Sequence, residues 1–211
     1  MRIDRAGYPF IGGTAALAMA AALLVGAAAA VPLGLVAAFF LYFFRDPDRT
    51  SPQEPDLVLS PADGRVLVAG PADRHVAPPG EWAQISIFLS PMDVHVNRSP
   101  VSGRVTRVDF RRGKYLPAYH RDAASTNERS EVWVAHGGLT VVFRQIVGIL
   151  ARRVVCRVKP GAELKAGERI GIMKFGSRMD VFVPVSASVR VSVGDKVVGG
   201  VSVIAQLNPG R

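Results

Sequence analysis

Cysteine is almost absent from this 211-residue sequence, which contains only Cys156. A single cysteine excludes an intramolecular disulfide framework and a cysteine-based zinc cluster. Because it follows two valines, we expect Cys156 to fill space in the core. The sequence also shows no cluster of metal-ligand residues, so we expect no metal site. A multidomain assembly is excluded by length, since domains typically run to roughly 100–200 residues.

A long run near the start of the sequence contains no charged residue. Between Arg5 and Arg45, 39 consecutive residues include no Asp, Glu, Lys or Arg. A membrane-spanning helix needs about 20 apolar residues, so this run predicts two passes or a re-entrant hairpin, hinged near residues 26–32. Arg2 precedes the run and Arg49 follows it closely. Since basic flanks tend to stay cytoplasmic, both ends are expected on that side.

A secretory signal peptide is the alternative for this segment, with residues 28–30, three alanines, as its cleavage site. The apolar run continues past that site into an aromatic cluster at residues 39–44, which favours an anchor at a membrane interface. We therefore expect residues 1–45 to form a helical hairpin in the cell membrane. Residues 46–211 are expected to form a domain on its cytoplasmic face.

Acidic residues are outnumbered in the remaining chain. Residues 46–211 carry 23 basic and 16 acidic residues, a net charge of +7. A basic domain beside an anchor typically faces anionic lipid. Nucleic acid is the other partner class for such a charge, but the sequence contains no zinc-finger spacing, helix-turn-helix pattern or aromatic RNP-like strand. We expect membrane lipid as a partner and no nucleic acid.

Long amphipathic stretches are also missing from residues 46–211, where glycine and proline interrupt short β-branched runs. The pattern predicts a mainly β fold, a flattened barrel or sandwich. Residues 51–56 are expected to be a linker, and the unpatterned residues 111–130 a loop over a site. The ten predicted strands are 65–69, 84–89, 104–110, 131–135, 139–145, 153–158, 169–173, 180–183, 188–193 and 197–204.

Residues 158–197 resemble a biotinyl/lipoyl-type barrel sandwich. In such domains a lysine after Met sits at a hairpin tip and carries the prosthetic group, and Lys174 after Met173 has that position. A membrane-tethered carrier that uses Lys174 is therefore one hypothesis. The residues that follow, Phe175-Gly176-Ser177-Arg178, depart from the carrier pattern.

The dipeptide Gly176-Ser177 permits self-cleavage chemistry. Glycine tolerates strained backbone geometry, which lets the Ser177 hydroxyl approach the preceding carbonyl. An N-to-O acyl shift would give an ester. β-Elimination would then release the upstream chain and leave dehydroalanine, which hydrolyses to a pyruvoyl group. Most Gly-Ser pairs are only turns, so the dipeptide needs support from its surroundings.

Four motifs occur in order along the chain: Ser60-Pro61-Ala62-Asp63-Gly64, Phe88-Leu89-Ser90-Pro91-Met92-Asp93-Val94-His95, Asn127-Glu128-Arg129 and Phe175-Gly176-Ser177-Arg178. With the anchor, and with Pro100–Gly103 and Gly148–Arg152, they resemble the phosphatidylserine decarboxylase family in its short bacterial form. The resemblance covers nearly all of residues 45–205.

This resemblance implies a proenzyme that cuts itself between Gly176 and Ser177. The products would be a β chain, 1–176, and an α chain, 177–211, held together as an αβ heterodimer, with further oligomerisation left open. Ser177 would become a covalent pyruvoyl group, the pyruvate cofactor. In the family this ketone forms a Schiff base with phosphatidylserine and acts as an electron sink while CO2 leaves, which gives phosphatidylethanolamine.

Asp63 and His95 match positions that the family uses for processing and catalysis. A histidine can remove the serine hydroxyl proton or return a proton to the carbanion, with a carboxylate fixing its tautomer. The longer enzymes carry a second histidine where this chain has Arg98. Either His95 serves both steps, or another group such as His120 or His136 takes one of them.

Two cations flank the expected cut. Lys174 and Arg178 are candidates for binding the lipid phosphate or the serine carboxylate. Phosphate is favoured for Arg178, because a firmly held carboxylate would stabilise the ground state and oppose loss of CO2. A serine hydrolase that uses Asp63, His95 and Ser177 as a triad is a further alternative, but no Gly-x-Ser-x-Gly elbow surrounds the serine.

Overall fold

The computed structural model describes residues 2–149, 154–174 and 176–208. The chain divides into two compact units, residues 1–48 and 49–211. Residues 150–152 and Phe175, which belong to two of the sequence motifs, lie outside the described residues, as does residue 153, the start of one predicted strand.

Two apolar helices form the first unit. The chain reverses between them at Gly26, whose φ of +122° favours glycine. The rings of Phe10 and Phe40 lie 5.4 Å apart, so the helices run antiparallel, as the uncharged run predicts for a hairpin. The elements are β1 (Arg2–Ile3), a 3-10 turn (Arg5–Gly7), α1 (Tyr8–Leu24), α2 (Ala27–Phe43) and β2 (Arg45–Asp46), with β1 antiparallel to β2.

The segment Arg5–Leu24, which combines the 3-10 turn and α1, has the length and composition to cross a membrane, whereas α2 is apolar but shorter than this segment. Large apolar side chains along both helices are exposed, including Leu24 and Leu35. Exposed apolar surface of this kind is typical of segments that contact a membrane or another protein.

The second unit is mainly β, and its largest part is a curled, eight-stranded antiparallel sheet. In chain order its strands are β4 (Gly64–Pro71), β5 (Trp82–Leu89), β7 (Gly103–Arg111), β8 (Arg129–His136), β9 (Leu139–Val147), β11 (Glu163–Leu164), β13 (Ser177–Pro184) and β15 (Lys196–Val197). Across the sheet the strand order is β11-β7-β8-β9-β13-β5-β4-β15.

Two three-stranded sheets and one short helix complete this unit. These elements are β3 (Leu57–Leu59), β6 (Val96–Arg98), α3 (Ala123–Thr126), β10 (Val154–Cys156), β12 (Arg169–Met173), β14 (Ser188–Val189) and β16 (Val203–Gln206). The strand orders of the two sheets are β10-β12-β6 and β14-β16-β3.

Alternation along the central strands separates an apolar face from a polar one. Residues such as Ile87, Val181 and Phe143 join the hydrophobic core. Their neighbours on the opposite face include Ser86 and Asp180, which are also buried. The central strands are therefore covered on both sides.

Six sequence-predicted strands are present with longer bounds, and residues 169–173 match fully. Two predicted strands are too long, because 154–158 contains only β10 and 188–193 contains only β14. The strand predicted over residues 197–204 is wrong at its centre, because the chain turns at residues 198–202 between β15 and β16. The predicted loop, residues 111–130, contains α3. The sequence did not predict β3, β6 and β11.

The biotinyl/lipoyl-like character expected for the C-terminal part is not confirmed. Each sheet of the second unit combines strands from before and after residue 150, so the C-terminal strands do not close a fold of their own. Lys174 is half-buried, unlike the exposed lysine that a carrier needs.

Candidate active site

The sequence motifs meet at one end of the eight-stranded sheet. Strand register aligns one row of residues across five strands, namely Arg111, Arg129, Ile146, Arg178 and Phe88. The segments beyond this row therefore share one edge, which we call the site end. They are residues 61–64, 89–93, 112–128, 147–149 and 176–177.

His95 is buried at the site end, and its hydrogen bonds define its tautomer. Nδ1 lies 2.9 Å from the carbonyl oxygen of Asp93. Because a carbonyl oxygen can only accept, Nδ1 carries the proton and Nε2 is an acceptor. The main-chain N–H of Gly176 donates to Nε2 at 3.3 Å. The imidazole thus lies beside the expected cleavage site, oriented by a backbone carbonyl where we expected a carboxylate.

The turn after β5 places the Asp93 carbonyl. The Asp93 carboxylate accepts from the Ser90 N–H at 2.8 Å, and the Asp93 N–H donates to the Ser90 carbonyl at 2.9 Å. This reciprocal pair closes the turn two residues before His95. The motif from Phe88 to His95 therefore serves to hold the imidazole.

Ser177 is fully buried, and its Oγ has no hydrogen-bond partner among the residues that the structure describes. A buried hydroxyl without a partner costs free energy and calls for a functional explanation. Gly176 has a φ of +77°, which residues with side chains rarely adopt. The backbone of Gly148 packs closely on this dipeptide, since a Cβ built on Gly148 would lie 2.4 Å from the carbonyl oxygen of Gly176.

Asn127, the first residue of the Asn127-Glu128-Arg129 motif, has a structural role beside the serine. Its Nδ2 donates to the carbonyl oxygens of Val147 and Leu116, each at 2.8 Å, and its Oδ1 accepts from the Leu116 N–H at 3.0 Å. Val147 pairs directly with Ser177. Asn127 therefore ties the 112–128 loop to the strand beside the serine.

Asp63 also lies at the site end, where it contacts Arg49 and Gly199. Its carboxylate oxygens lie 2.5 and 2.7 Å from Nη1 and Nη2 of Arg49, in a bidentate pair. The Gly199 N–H donates to Asp63 Oδ1 at 2.8 Å. The sequence did not anticipate the pairing with Arg49.

Arg98, which replaces the second family histidine, is buried on β6. Its Nη1 donates to the carbonyl oxygen of Gly167 at 3.0 Å, and it lines a cleft of about 670 Å³ with Arg49, Lys165 and Arg169. Of the alternative histidines, His136 lies at the opposite end of β8 and contacts the Ser102 carbonyl at 2.7 Å.

His120 belongs to the 112–128 loop, and its side chain is half exposed. The Asp122 N–H donates to its Nδ1 at 3.3 Å. The structure thus brings this loop to the site end and keeps the His120 side chain at the surface.

The two cations beside the cut differ in environment. Arg178 is buried on the face opposite to Ser177, where its Nε donates to Asp180 at 2.6 Å and its Nη2 to Ser86 at 2.8 Å. It lines a cavity of about 550 Å³. Arg178 is therefore enclosed and paired with an acidic side chain. Lys174 is half-buried in the segment between β12 and β13.

A buried polar network that sequence analysis missed lies next to His95. Ser130 donates to Gln145 at 2.9 Å, and the Gln145 amide donates to Asn97 at 2.8 Å. The amide nitrogen of Asn97 has no hydrogen-bond partner among the described residues. The only available signal was that Asn97 follows His95 by two residues in the sequence.

Two nearby groups have shifted pKa values. Burial lowers the pKa of the Arg129 guanidinium, and Arg144 and Arg111 lower it further by repulsion. Burial raises the pKa of the Cys156 thiol. The described residues contain no group of three or more His, Cys, Asp or Glu side chains that could hold a metal ion.

Comparison with known proteins gives consistent matches. The model of the phosphatidylserine decarboxylase family matches residues 36–205. A phosphatidylserine decarboxylase proenzyme from Solibacter usitatus is 43% identical over 206 residues, covering 98% of this chain and 97% of the relative. Proenzymes of the same name from Nitrosomonas europaea and Symbiobacterium thermophilum are 40% and 43% identical, over 98% and 97% of this chain and 95% of each relative.

Proposed function

The chain belongs to the phosphatidylserine decarboxylase family, and on that basis we propose which of its residues carry the processing and the chemistry. Its activity is that of a pyruvoyl-dependent lyase of phospholipid biosynthesis, which removes the carboxylate of phosphatidylserine as CO2 and leaves phosphatidylethanolamine. The carrier hypothesis for Lys174 has no support from these matches.

The proposed cut lies between Gly176 and Ser177. Ser177 Oγ attacks the Gly176 carbonyl carbon, the peptide C–N bond breaks, and an ester forms. Loss of the Ser177 α proton then expels Gly176 as a carboxylate, and hydrolysis of the dehydroalanine releases ammonia. The observation that carries this proposal is the buried, unpartnered Oγ of Ser177 next to a histidine held at Gly176.

His95 is the proposed proton carrier of this site. Its Nδ1–H is held by the Asp93 carbonyl, which leaves Nε2 able to take a proton. Nε2 already lies at the Gly176 amide, one residue from the attacking hydroxyl. We assign to His95 both the removal of the Ser177 hydroxyl proton and the return of a proton during decarboxylation, since Arg98 replaces the second histidine.

The other candidate residues have supporting roles in the proposal. Asp63 takes part in processing from its place at the site end. Lys174 binds the substrate phosphate, and Arg178 contributes its guanidinium to the cavity beside Tyr119. The cofactor is a pyruvoyl group made from Ser177, and when present it supplies the electrophilic carbonyl that withdraws electrons from the bond to the departing CO2.

The proposed site suits a pyruvoyl group, because Ser177 is enclosed and its strand pairs on one side with β5 and on the other with β9. The proposed products are chains 1–176 and 177–211, which form an αβ heterodimer. The proposed location is the cytoplasmic face of the cell membrane, with residues 1–45 as the anchor, because basic residues flank both ends of the uncharged run.

The decisive test replaces Ser177 by alanine. Intact mass spectrometry of the wild type should find chain 177–211 with a pyruvoyl group in place of its first serine, and S177A should remain one uncut, inactive chain. Ser188→Ala, an exposed serine near the C-terminus, is the matched control and should be cut normally. Cleavage of S177A at the same bond would overturn the proposal.

A further inference from the structure

Three large apolar side chains are exposed at the site end. Met92, Tyr119 and Ile149 are 57%, 65% and 54% exposed. Met92 lies in the turn after β5, four residues beyond Phe88, and the Phe88 ring packs edge-on against Tyr119 at 5.9 Å. Two of the three side chains thus come from segments in direct contact.

Ile149 belongs to the same surface. A Cβ on Gly148 would lie 3.3 Å from the Cβ of Ala118, so the segments that carry Ile149 and Tyr119 run side by side. We call Met92, Tyr119 and Ile149 the apolar tip. Burial of these side chains against a partner would be favourable, because each exposes apolar area to water.

Positive charge adjoins the apolar tip. Arg111, Arg112, Lys114 and Arg121 are all exposed, and the sequence from Arg111 to Arg121 contains no Asp or Glu. Tyr119 is part of this same loop. The apolar tip and these four cations together form what we call the docking surface.

We propose that the docking surface binds an anionic lipid bilayer directly, as a contact additional to the apolar helices. Apolar side chains enter the boundary between headgroups and acyl chains, while Lys and Arg attract anionic lipid. The charge selects lipid over a neutral protein partner. The inference rests on the proposed site at Ser177, which lies at the same end of the sheet, so that docking presents this site to the leaflet that holds the substrate.

The first experiment tests insertion in the full-length chain. Tyr119→Trp is reconstituted in vesicles of phosphatidylglycerol and acyl-brominated phosphatidylcholine, and bromine quenching of its fluorescence is measured. The wild type gives the background from Trp82 and Trp133. Val185→Trp is the matched control, since Val185 is 60% exposed and follows β13 at the opposite end. Quenching above background is expected at position 119 only, and equal quenching at both positions overturns the proposal.

The second experiment tests the charges. In the Tyr119→Trp background, Arg111, Arg112 and Lys114 are changed together to Gln, and the control changes Arg74, Lys159 and Lys165, which are exposed cations away from the site end. The first set should lose the phosphatidylglycerol-dependent quenching and raise KM for phosphatidylserine in vesicles by about three- to tenfold. The kcat on a short-chain, monomeric phosphatidylserine should not change. An equal effect of both sets contradicts a specific docking surface.

Two other outcomes can be distinguished from lipid binding: dimerisation through the docking surface, and cleavage at another bond. If position 119 is shielded in detergent and Tyr119→Ser abolishes a dimer seen by light scattering, the surface binds a second copy of the chain, and the lipid proposal is wrong. Self-cleavage is followed on gels for every variant. A protein that docks normally but is cut elsewhere than at Ser177 contradicts the proposed site and leaves the docking surface standing.

Discussion

Gly148 sets how closely the chain beyond β9 approaches the proposed scissile carbonyl. Alanine at this position would place its Cβ 2.4 Å from the Gly176 carbonyl oxygen, a backbone atom that cannot rotate away. We expect Gly148→Ala to fold but to cut itself about 10- to 100-fold more slowly, since overpacking costs about 1–3 kcal/mol. A gel time course after synthesis measures this rate.

Gly12→Ala is the control for that change, because nothing lies within 4 Å of a Cβ at position 12. This variant should cut at the wild-type rate. If Gly148→Ala also cuts at the wild-type rate, the scissile carbonyl does not need its present position for processing.

Cys156 should make stability depend on alkaline pH. Burial raises the pKa of its thiol in the folded state, above the unfolded value of about 8.5. The folded protein then retains the proton longer than the unfolded chain. The stabilisation is complete below pH ~8.5 and is lost as pH rises through the folded pKa.

The measurement is urea unfolding between pH 7.5 and 10 in the uncut S177A background, which keeps one chain. Cys156→Ala should lose less free energy of unfolding over this range than its parent. Other groups titrate in both proteins, so only the difference between them is used. Identical pH dependence would show that Cys156 ionises alike in both states.

At the scale of elements, the Arg49–Asp63 pair joins the segment before β3 to the turn before β4. We expect Asp63→Asn to slow self-cleavage by about 100-fold or more, because we assign its carboxylate to processing, a contribution in the range of general acid–base catalysis. Arg49→Gln should slow it by about tenfold or less, since this change removes only the partner. Both rates are measured on the folded fraction after gel filtration. Equal slowing would mean that Asp63 acts only by holding Arg49.

Short β-branched runs interrupted by glycine and proline were sufficient to predict most strands, including β12, but this pattern failed at two places. β6 is only three residues long and buries Asn97 and Arg98, whereas sequence patterns assign polar residues to the surface. Residues 197–204 contain enough valine to suggest a strand, yet Gly200 at a φ of +72° belongs to a turn between two sheets.

Some residues of the candidate site could also be predicted from the sequence, and others could not. Motif order placed His95 and Ser177 together, because the resemblance supplied both positions. The partner of Asp63 and the Asn97–Gln145–Ser130 network could not be predicted. These contacts depend on which strands pair and in which register, and a single sequence does not reveal register between segments that are distant in the chain.

At the scale of the whole molecule, the position of β13 decides what self-cleavage does to the fold. β13 begins at Ser177 and pairs with β5 from Ser177 to Pro184 and with β9 from Ser177 to Phe182. Its apolar side chains, including Met179 and Val181, are fully buried in the core. The cut would therefore leave the pairing of Arg178 to Pro184 in place, and only residue 177 would lose its main-chain N–H as it becomes a pyruvoyl group.

We therefore expect chains 1–176 and 177–211 to co-elute in gel filtration and to separate only on denaturation. A charge in the shared core should break this association, because an unpaired buried charge costs several kcal/mol. Val181→Asp should yield little assembled protein. Val193→Asp, at an exposed valine of the same small chain, should assemble normally. Free small chain in the wild-type preparation would contradict the heterodimer, since no strand pairing would then have survived the cut.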